Sequence, residues 1–253
     1  MTDIFHGIGV ALVTLFDDEG NVDIDATTAL AATLVGEGLT SVLVAGTTGE
    51  AAALTSPERA DLVRAMKDAL DVPIIAGTGA ATGSQAAAQT TASVEAGADA
   101  VLVLSPHRVA DPTAYYRTVA QAAGTTPMLA YHFPAQSAPG VEVPLLNDLP
   151  IVGIKDSSGD ARRLLQEVEE FDGQIYSGAA ALCLYGGALG IPGMLLAVAN
   201  AFPQEAQAAF AGDAKAQLKL SKPDQLSSVS FPAGIKQLTH EAYGTSTTAR
   251  IGR

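Results

Sequence analysis

Residues 150–178, PIVGIKDSSGDARRLLQEVEEFDGQIYSG, contain the unit that the rest of the chain repeats. An apolar run at 150–155 leads through a Ser- and Gly-bearing turn into an amphipathic stretch, and a glycine precedes the second apolar run at 173–178. A buried strand, a helix and a second strand in this order are typical of a βα unit. The stretch therefore predicts one βα unit followed by the next strand.

The same order recurs along most of the chain. Apolar runs occur at 7–14, 40–46, 72–78, 98–105, 126–131, 150–155, 173–178 and 190–198. They are nearly continuous in Val, Ile, Leu and Ala, as expected of parallel strands that are covered on both faces. An open doubly wound sheet also uses such repeats, but a count of eight favours a closed (β/α)₈ TIM barrel. We assign residues 1–210 to the barrel and 211–253 to a short C-terminal helical segment.

Charge and hydropathy exclude several classes of partner. The 253 residues include 27 acidic and 14 basic side chains, which gives a net charge of −13. Such a surface repels nucleic acid and anionic lipid. No apolar stretch reaches the roughly 18 residues of a membrane span, and the N-terminus lacks a basic and apolar leader. We expect a cytoplasmic protein with neither nucleic acid nor membrane as a partner.

Cysteine and histidine usage points away from disulfides and metals. Cys183 is the only cysteine, so no intrachain disulfide is possible, and a buried inert thiol is expected. His6, His107, His132 and His240 are scattered without the spacing of paired ligands. The sequence therefore predicts no metal centre.

Three of the strand ends carry reactive side chains, and in a parallel barrel the active site lies at the carboxyl ends of the strands. The second run closes with GTTGE (46–50), the fifth with Tyr131 and the sixth with Lys155. A lysine that ends an apolar strand is partly desolvated, which lowers its pKa and frees the amine as a nucleophile. A lysine that reaches water or pairs with Asp156 is the alternative.

Two further groups fit chemistry at such an amine. The phenol of Tyr131 can relay protons beside the lysine, although a buried tyrosine with a satisfied hydroxyl is the alternative. The hydroxyls of Thr47 and Thr48 and the amide of Gly49 can bind a carboxylate in a tight turn. A plain strand-to-helix turn is the alternative there.

Taken together, these motifs resemble the superfamily of dihydrodipicolinate synthase and N-acetylneuraminate lyase, which are pyruvate-dependent class I aldolases. The likeness runs from about residue 7 to 202 and rests on several motifs in the same order. They are GTTGE with the following LTSPER, GTG after the third strand, Y-x-x-P at Tyr131, GIKDSSGD at Lys155, and Ser177 with Gly178. Each motif is weak alone, whereas the set is specific.

The resemblance implies a role for each matching residue. Lys155 would attack the 2-oxo carbon and form an imine, Tyr131 would shuttle protons, and Thr47 with Thr48 would hold the pyruvyl carboxylate. Gly49 and Gly178 would line the same site. The covalent imine would make a metal or an organic cofactor unnecessary.

Departures from the family pattern guide the choice among its activities. Dihydrodipicolinate synthases carry an arginine two residues after the Y-x-x-P proline, where this chain has Gln136. They also carry an aromatic pair after the fourth strand, where His107 and Arg108 stand here. Arg108 is a candidate for binding a carboxylate or a polyol hydroxyl, and an exposed loop arginine is the alternative. YHFPAQSAPG is more similar to the sugar-acid aldolases of the superfamily.

The sequence thus predicts a lyase that cleaves a 2-keto-3-deoxy sugar acid, such as 2-keto-3-deoxygluconate, to pyruvate and an aldehyde such as glyceraldehyde. Dihydrodipicolinate synthase, N-acetylneuraminate lyase and sugar-acid dehydratase activities remain alternatives on the same scaffold. A non-catalytic barrel that binds a sugar acid is the alternative of another class. The resemblance also implies a homo-oligomer, with a tetramer favoured and a dimer open because the C-terminal segment is short.

Overall fold

The computed structural model describes residues 3–252, and its centre is a closed barrel of eight parallel strands paired in chain order. The strands are β1 (Gly7–Ala11), β2 (Ser41–Val44), β3 (Ile74–Gly77), β4 (Ala100–Leu104), β5 (Met128–His132), β6 (Gly153–Asp156), β7 (Gln174–Ser177) and β8 (Gly193–Leu196). Each lies within the predicted apolar run or extends one residue beyond it. The predicted (β/α)₈ barrel is therefore confirmed.

Helices follow the strands and form the outer layer. They are α1 (Ile24–Gly36), α2 (Ser56–Ala69), α3 (Gly83–Glu95), α4 (Thr113–Ala123), α5 (Ala161–Glu170), α6 (Cys183–Leu189), α7 (Pro203–Phe210), α8 (Ala214–Val229) and α9 (Ala233–Tyr243). Short 3₁₀ helices lie at Ala51–Ala53, Val143–Asp148, Ala180–Leu182 and Val198–Asn200. Among the described residues, no helix is both long enough and apolar enough to cross a bilayer.

Two apolar layers stabilise the barrel. A small cluster fills the interior of the cylinder, and its members include Leu43, Ile75, Leu102, Leu129 and Leu195. A larger cluster packs the outward faces of the strands against the helices. Successive strand residues point to opposite faces of the sheet, and both faces are covered by apolar side chains. Nearly every strand position is therefore buried, which explains why the runs are apolar throughout. Polar side chains on the inner face are thus confined to the ends of the strands.

Helix α2 begins with a capping box that matters for the site described below. The Thr55 side chain accepts a hydrogen bond from the Glu58 amide, and the Glu58 carboxylate accepts one from the Thr55 amide at 2.8 Å. This reciprocal pair satisfies two amides that the first helical turn leaves without partners. Glu58 is consequently fixed at the end of the loop that follows β2.

The C-terminal segment packs against the barrel and then returns toward the carboxyl ends of the first two strands. Helix α8 packs on α7 and on the 3₁₀ helix after β7, and α9 packs on α8. Beyond α9, residues 245–252, which we call the C-terminal strap, run back to the loops after β1 and β2. The segment is therefore more than a covering layer, because its end reaches the mouth of the barrel.

Candidate active site

Lys155 and Tyr131 lie side by side on the inner face of the barrel, near the carboxyl ends of β6 and β5. The two residues are register partners in the parallel pairing of these strands. The Lys155 Nζ atom is 4.7 Å from the centroid of the Tyr131 ring. Both side chains are almost fully buried, at 4% and 6% exposure. The structure thus brings the two side chains that the sequence singled out into direct contact.

Burial gives the Lys155 amine its chemical character. Desolvation lowers the pKa of Lys155 from 10.5 to about 7, because a charged ammonium is poorly stabilised away from water. The neighbouring acid does not oppose this effect, since Asp156 points to the other side of the sheet. There Asp156 accepts hydrogen bonds from Ser158 and lies 3.4 Å from Arg163 Nε. Burial therefore favours the neutral, nucleophilic form of the Lys155 amine near neutral pH.

The outer side of β6 carries a separate buried ionic cluster. Arg163 Nε is 2.9 Å from Glu167 Oε1, and the Arg163 guanidinium also donates to the Val141 carbonyl at 2.7 Å. Burial, with repulsion from Asp156 second, raises the pKa of Glu167 to about 8. This cluster occupies the outer face of β6, so Lys155 faces the interior without a carboxylate from its own strand.

Tyr131 is connected to two hydroxyl side chains. Burial raises the pKa of the Tyr131 phenol, and hydrogen bonds with Ser157 and then Thr47 act against that rise. Ser157 follows Lys155 by two residues, so the strand alternation directs both toward the interior. Ser157 was not singled out in the sequence, although this period-two spacing within GIKDSSGD is the signal that identifies it.

Gly178 allows these groups to come together. A Cβ atom at Gly178 would overlap Ser157 Oγ and would lie 2.7 Å from Lys155 Cε. Any larger side chain at this position would therefore displace the lysine or the serine. The backbone of Gly178 is held by a hydrogen bond from its amide to the Asp156 carbonyl at 2.6 Å. The structure thus places Gly178 against Cε of Lys155, the carbon that carries the amine.

The GTTGE turn after β2 brings Thr47 to the phenol of Tyr131. Ala45 and Glu50, at the two ends of the turn, have positive φ angles of 51° and 56°. The left-handed conformation costs a residue with a Cβ atom about 1–2 kcal/mol, so surrounding contacts must hold it. Within residues 3–252, the amides of Thr48 and Gly49 enter no backbone hydrogen bond. The turn therefore presents a hydroxyl and two amides that an anion can use.

Gly49 is tightly packed, so a side chain there would require its neighbours to shift. A Cβ atom there would lie 3.0 Å from both the Leu12 carbonyl oxygen and Thr14 Oγ1. The Thr14 hydroxyl in turn donates to the Gly49 carbonyl at 2.8 Å. Thr48 beside it is buried at 8% exposure. These contacts join the turn to the end of β1.

Arg108 and Gln136 lie apart from the lysine. Both are exposed, and in the described part of the chain no hydrogen bond or ion pair joins either side chain to Lys155 or Tyr131. Their loops nevertheless meet, because the Arg108 amide donates to the Ala138 carbonyl at 2.7 Å. Arg108 has a positive φ of 61°, and the neighbouring His107 is exposed as well. His107, Arg108 and Gln136 therefore lie on the exposed surface of these two loops.

The structure contains no candidate metal site in residues 3–252, where His, Cys, Asp and Glu side chains form no group of three with suitable geometry. Cys183 is buried, and burial raises the pKa of its thiol to about 12. A thiol in this environment stays protonated at neutral pH and is a poor nucleophile. Among the groups described, Lys155 is the amine that is suited to covalent chemistry.

Comparison with known proteins identifies the family. Residues 4–239 match the dihydrodipicolinate synthetase family. The 4-hydroxy-tetrahydrodipicolinate synthase of Corynebacterium jeikeium is 36% identical over 206 residues, which are 78% of this chain and 68% of that protein. The enzyme of the same name from Pseudomonas aeruginosa is 34% identical over 227 residues, 83% of this chain and 77% of that protein.

A solved structure agrees over the full length. Dihydrodipicolinate synthase from Bacillus anthracis superposes with a TM-score of 0.90 at 30% identity, covering 100% of this chain and 93% of that one. The barrel, the C-terminal helices and the sequence match all indicate the same family. The chain therefore belongs to the dihydrodipicolinate synthetase family of enzymes, whose members are class I pyruvate-dependent aldolases.

Proposed function

We propose that this protein binds pyruvate or a pyruvyl-containing 2-oxo acid as an imine on Lys155 and makes or breaks a carbon–carbon bond next to that imine. The observation that carries the proposal is the contact between a buried, readily deprotonated amine and a buried phenol at the carboxyl ends of β6 and β5. A pyruvate complex of the related synthase from Acinetobacter baumannii, 28% identical with a TM-score of 0.86, supports the choice of ligand.

The first half of the reaction forms the imine. The neutral amine of Lys155 attacks C2 of the oxo acid, and the resulting carbinolamine loses its oxygen as water. Tyr131 is the proton donor and acceptor for these steps, because its phenol lies beside the amine and is linked to the hydroxyls of Ser157 and Thr47. These hydroxyls continue the path for protons in a chain that has His107 and Arg108 in place of the family's aromatic pair after the fourth strand.

The second half uses the cationic imine as an electron sink. Loss of a proton from C3 in synthesis, or cleavage of the C3–C4 bond in breakdown, leaves its electron pair in an enamine. In synthesis the enamine carbon attacks an aldehyde, the new alkoxide is protonated, and water hydrolyses the imine. Because the imine nitrogen accepts the electrons, the proposal requires neither a metal nor an organic cofactor.

The turn after β2 is proposed to bind the carboxylate of the oxo acid. Thr47 contacts Tyr131, so the turn lies within one small ligand's reach of the lysine. Its hydroxyls and the amides of Thr48 and Gly49 are hydrogen-bond donors without a charged side chain. A carboxylate held there directs C2 of the ligand toward Lys155.

Two candidate reactions differ in the compound that is joined to pyruvate or released from it, and the relatives favour one of them. Several relatives that are at least 33% identical are named 4-hydroxy-tetrahydrodipicolinate synthase, so formation of that product is the first candidate. Cleavage of a 2-keto-3-deoxy sugar acid, which the sequence favoured, is the second candidate. It is supported by Gln136, His107 and Arg108, which stand where synthases carry an arginine and an aromatic pair.

Borohydride trapping with pyruvate tests the imine. We expect one reduced pyruvyl group per chain, located at Lys155 by peptide mass spectrometry. The trapping rate should rise as pH increases through about 7, because only the neutral amine attacks C2. Pyruvate that binds without being trapped at any pH would contradict the proposal and support a non-catalytic binding barrel.

A substrate panel separates the two candidates. Pyruvate release from 2-keto-3-deoxygluconate and related acids is measured beside formation of 4-hydroxy-tetrahydrodipicolinate from pyruvate and the aldehyde of the synthase reaction. The larger kcat/KM identifies the reaction. Gln136→Arg should raise synthase activity and lower sugar-acid cleavage if the sugar acid is the natural substrate.

Tyr131→Phe should slow turnover by about a hundredfold or more, which is typical for the loss of a positioned proton donor. The concentration of pyruvate that half-saturates trapping should change little, since the phenyl ring keeps its packing. Tyr243→Phe is the matched control: it also removes one hydrogen-bonded hydroxyl, the donor to Glu37 at 3.0 Å, but far from Lys155. A normal turnover rate for Tyr131→Phe would remove the phenol from the mechanism.

We also propose that the protein is a homo-oligomer, a tetramer or a dimer. Leu218 and Val229 on α8 are 75% and 77% exposed, which is a large exposure for apolar side chains. A synthase described as the first monomeric variant shares the fold with a TM-score of 0.89 at 21% identity, so sizing by light scattering is needed. A monomer at micromolar concentration would contradict this part of the proposal.

A further inference from the structure

The C-terminal strap, residues 245–252, is attached to the GTTGE turn through the carboxylate of Glu50. Glu50 Oε2 accepts hydrogen bonds from the backbone amides of Arg250 and Ile251, each at 2.8 Å. Glu50 Oε1 lies 2.6 Å from Nζ of Lys236 on α9, and both side chains are fully buried. Lys236 also donates to the Thr248 carbonyl within the strap. One buried carboxylate therefore joins α9 and the strap to the turn.

The guanidinium of Arg250 makes a second attachment. It donates to the Gly20 carbonyl at 2.7 Å and to the Ala53 carbonyl at 2.9 Å. It also grips both oxygens of Glu58, at 2.6 and 3.0 Å, in the bidentate geometry that an arginine provides. This contact is the main reason that the pKa of Glu58 falls to about 2. Arg250 thus joins the loop after β1 to the 3₁₀ helix Ala51–Ala53 and to the first turn of α2, both of which follow the GTTGE turn.

An aromatic ring unites the two attachments. Lys236 Nζ lies 4.3 Å and the Arg250 guanidinium carbon 4.7 Å from the centroid of Phe16, which is fully buried. Phe16 follows β1 and pairs through a bridge with Val22. Both cations are consequently held by the ring as well as by carboxylates.

Glu50 is the last residue of the turn and has the positive φ of 56° noted above. The strap and Lys236 hold its side chain through the carboxylate, and Gly49, Thr48 and Thr47 come directly before it in the chain. If the strap is released, Glu50 can leave the left-handed conformation, and the donors of the turn change direction. The Glu50 amide donates to the Thr47 carbonyl at 3.0 Å, so the backbone at Glu50 is joined directly to Thr47.

We propose that the C-terminal strap positions the turn for binding of the substrate carboxylate, with Arg250 and Glu50 as positioning residues that act through Thr47 and Thr48. The inference rests on the proposed function, because it gives the turn the carboxylate. It assigns a role in substrate affinity to the last residues of the chain, although the chemistry is about one hundred residues earlier at Lys155.

Arg250→Ala is the first test. We expect the pyruvate concentration that half-saturates borohydride trapping to rise about tenfold, while the trapping rate at saturating pyruvate changes less than threefold. Arg250→Lys keeps one charged donor and should recover part of the affinity. Arg117→Ala, at an exposed arginine of α4, is the matched control and should leave both values unchanged. A purely structural role would lower the melting temperature without this split.

The outcomes separate the two proposals. If the unmodified protein forms no pyruvate imine, the proposed function fails. If it forms the imine and folded Arg250→Ala half-saturates at the same pyruvate concentration, the role of the strap is overturned. Should Arg250→Ala not fold, Glu58→Gln is measured instead, since glutamine preserves the capping box but weakens the grip on Arg250. A rise of threefold or more is expected there, and an unchanged value overturns the inference.

Discussion

Lys155→Met is expected to abolish turnover, by roughly four orders of magnitude or more, while the protein becomes at least as stable as before. Methionine has a similar length but no amine, so no imine forms and trapping with borohydride should give no adduct. The fold should persist because the replaced group is a buried cation without a carboxylate on its side of the strand. Removing such a group lowers a cost instead of creating one.

The stability gained by Lys155→Met depends on pH. In the folded protein the pKa of Lys155 is about 7, whereas in the unfolded chain it is near its ordinary value of 10.5. Between these values the unfolded chain binds the proton that the folded protein lacks, so the stability of the unmodified protein rises with pH. The cost of the lysine is complete below pH 7 and vanishes near pH 10.5. Each pKa unit corresponds to roughly 1.4 kcal/mol, so the full cost is several kcal/mol.

Urea unfolding of both proteins at a series of pH values measures this difference. Lys155→Met should gain most at pH 6, and the gain should shrink toward pH 9.5. Glu167, whose pKa is about 8, titrates in both proteins and cancels in the comparison. Lys219→Met replaces a largely exposed lysine and should give a small difference that does not vary with pH. The decisive quantity is the stability of Lys155→Met minus that of the unmodified protein. If this difference is smaller at pH 6 than at pH 9, Lys155 is not desolvated.

The local sequence predicted the barrel because each of its strands is specified within a few residues. A strand that is covered on both faces must be apolar at every position, so its run of side chains identifies it. The ends were less well defined. The run at 190–198 contains β8 at Gly193–Leu196, but Ile191 and Val198 outside the strand are buried too. Hydrophobicity reports burial, whereas the end of a strand depends on where pairing with its neighbours stops.

The contact between Lys155 and Tyr131 also followed from local rules. Both end apolar runs that are consecutive in the chain, and consecutive strands of a barrel are neighbours with their carboxyl ends together. Ser157 obeys the same alternation and was overlooked only because serines are common in turns. The depth of the lysine, and so the size of its pKa shift, depends on packing from several strands and required the structure.

The Glu50 attachment had no such signal. Glu50 and Arg250 are separated by 200 positions, and nothing near either residue identifies its partner. The GTTGE motif contains the glutamate but does not indicate its function, and the strap has the composition of an ordinary loop. A contact between distant segments depends on how α8 and α9 pack against the barrel. For this reason the sequence predicted a short C-terminal helical segment but not its contact with the GTTGE turn.

Lys236→Met should destabilise the protein by about 3–5 kcal/mol, because it leaves the carboxylate of Glu50 buried without its ion partner. Within residues 3–252, the amides of Arg250 and Ile251 would then be the remaining donors to that carboxylate. The unfolding free energy is measured in urea at pH 7. Lys67→Met is the matched control, since Lys67 pairs with Asp99 at 2.9 Å near the surface. That exposed pair should be worth about 1 kcal/mol or less.

A double-mutant cycle identifies the cause of the loss. Glu50→Gln in the Lys236→Met background removes the uncompensated charge, and the glutamine carbonyl can still accept from the two strap amides. Much of the lost stability should therefore return, which gives a coupling energy of about 2 kcal/mol or more between the two positions. Additive losses would show that Lys236 stabilises the protein through its packing on Phe16 and not through Glu50. Because the strap is anchored to the same carboxylate, Lys236→Met should lower pyruvate affinity together with stability. Adding Glu50→Gln should restore part of both. Lys67→Met should leave pyruvate affinity unchanged.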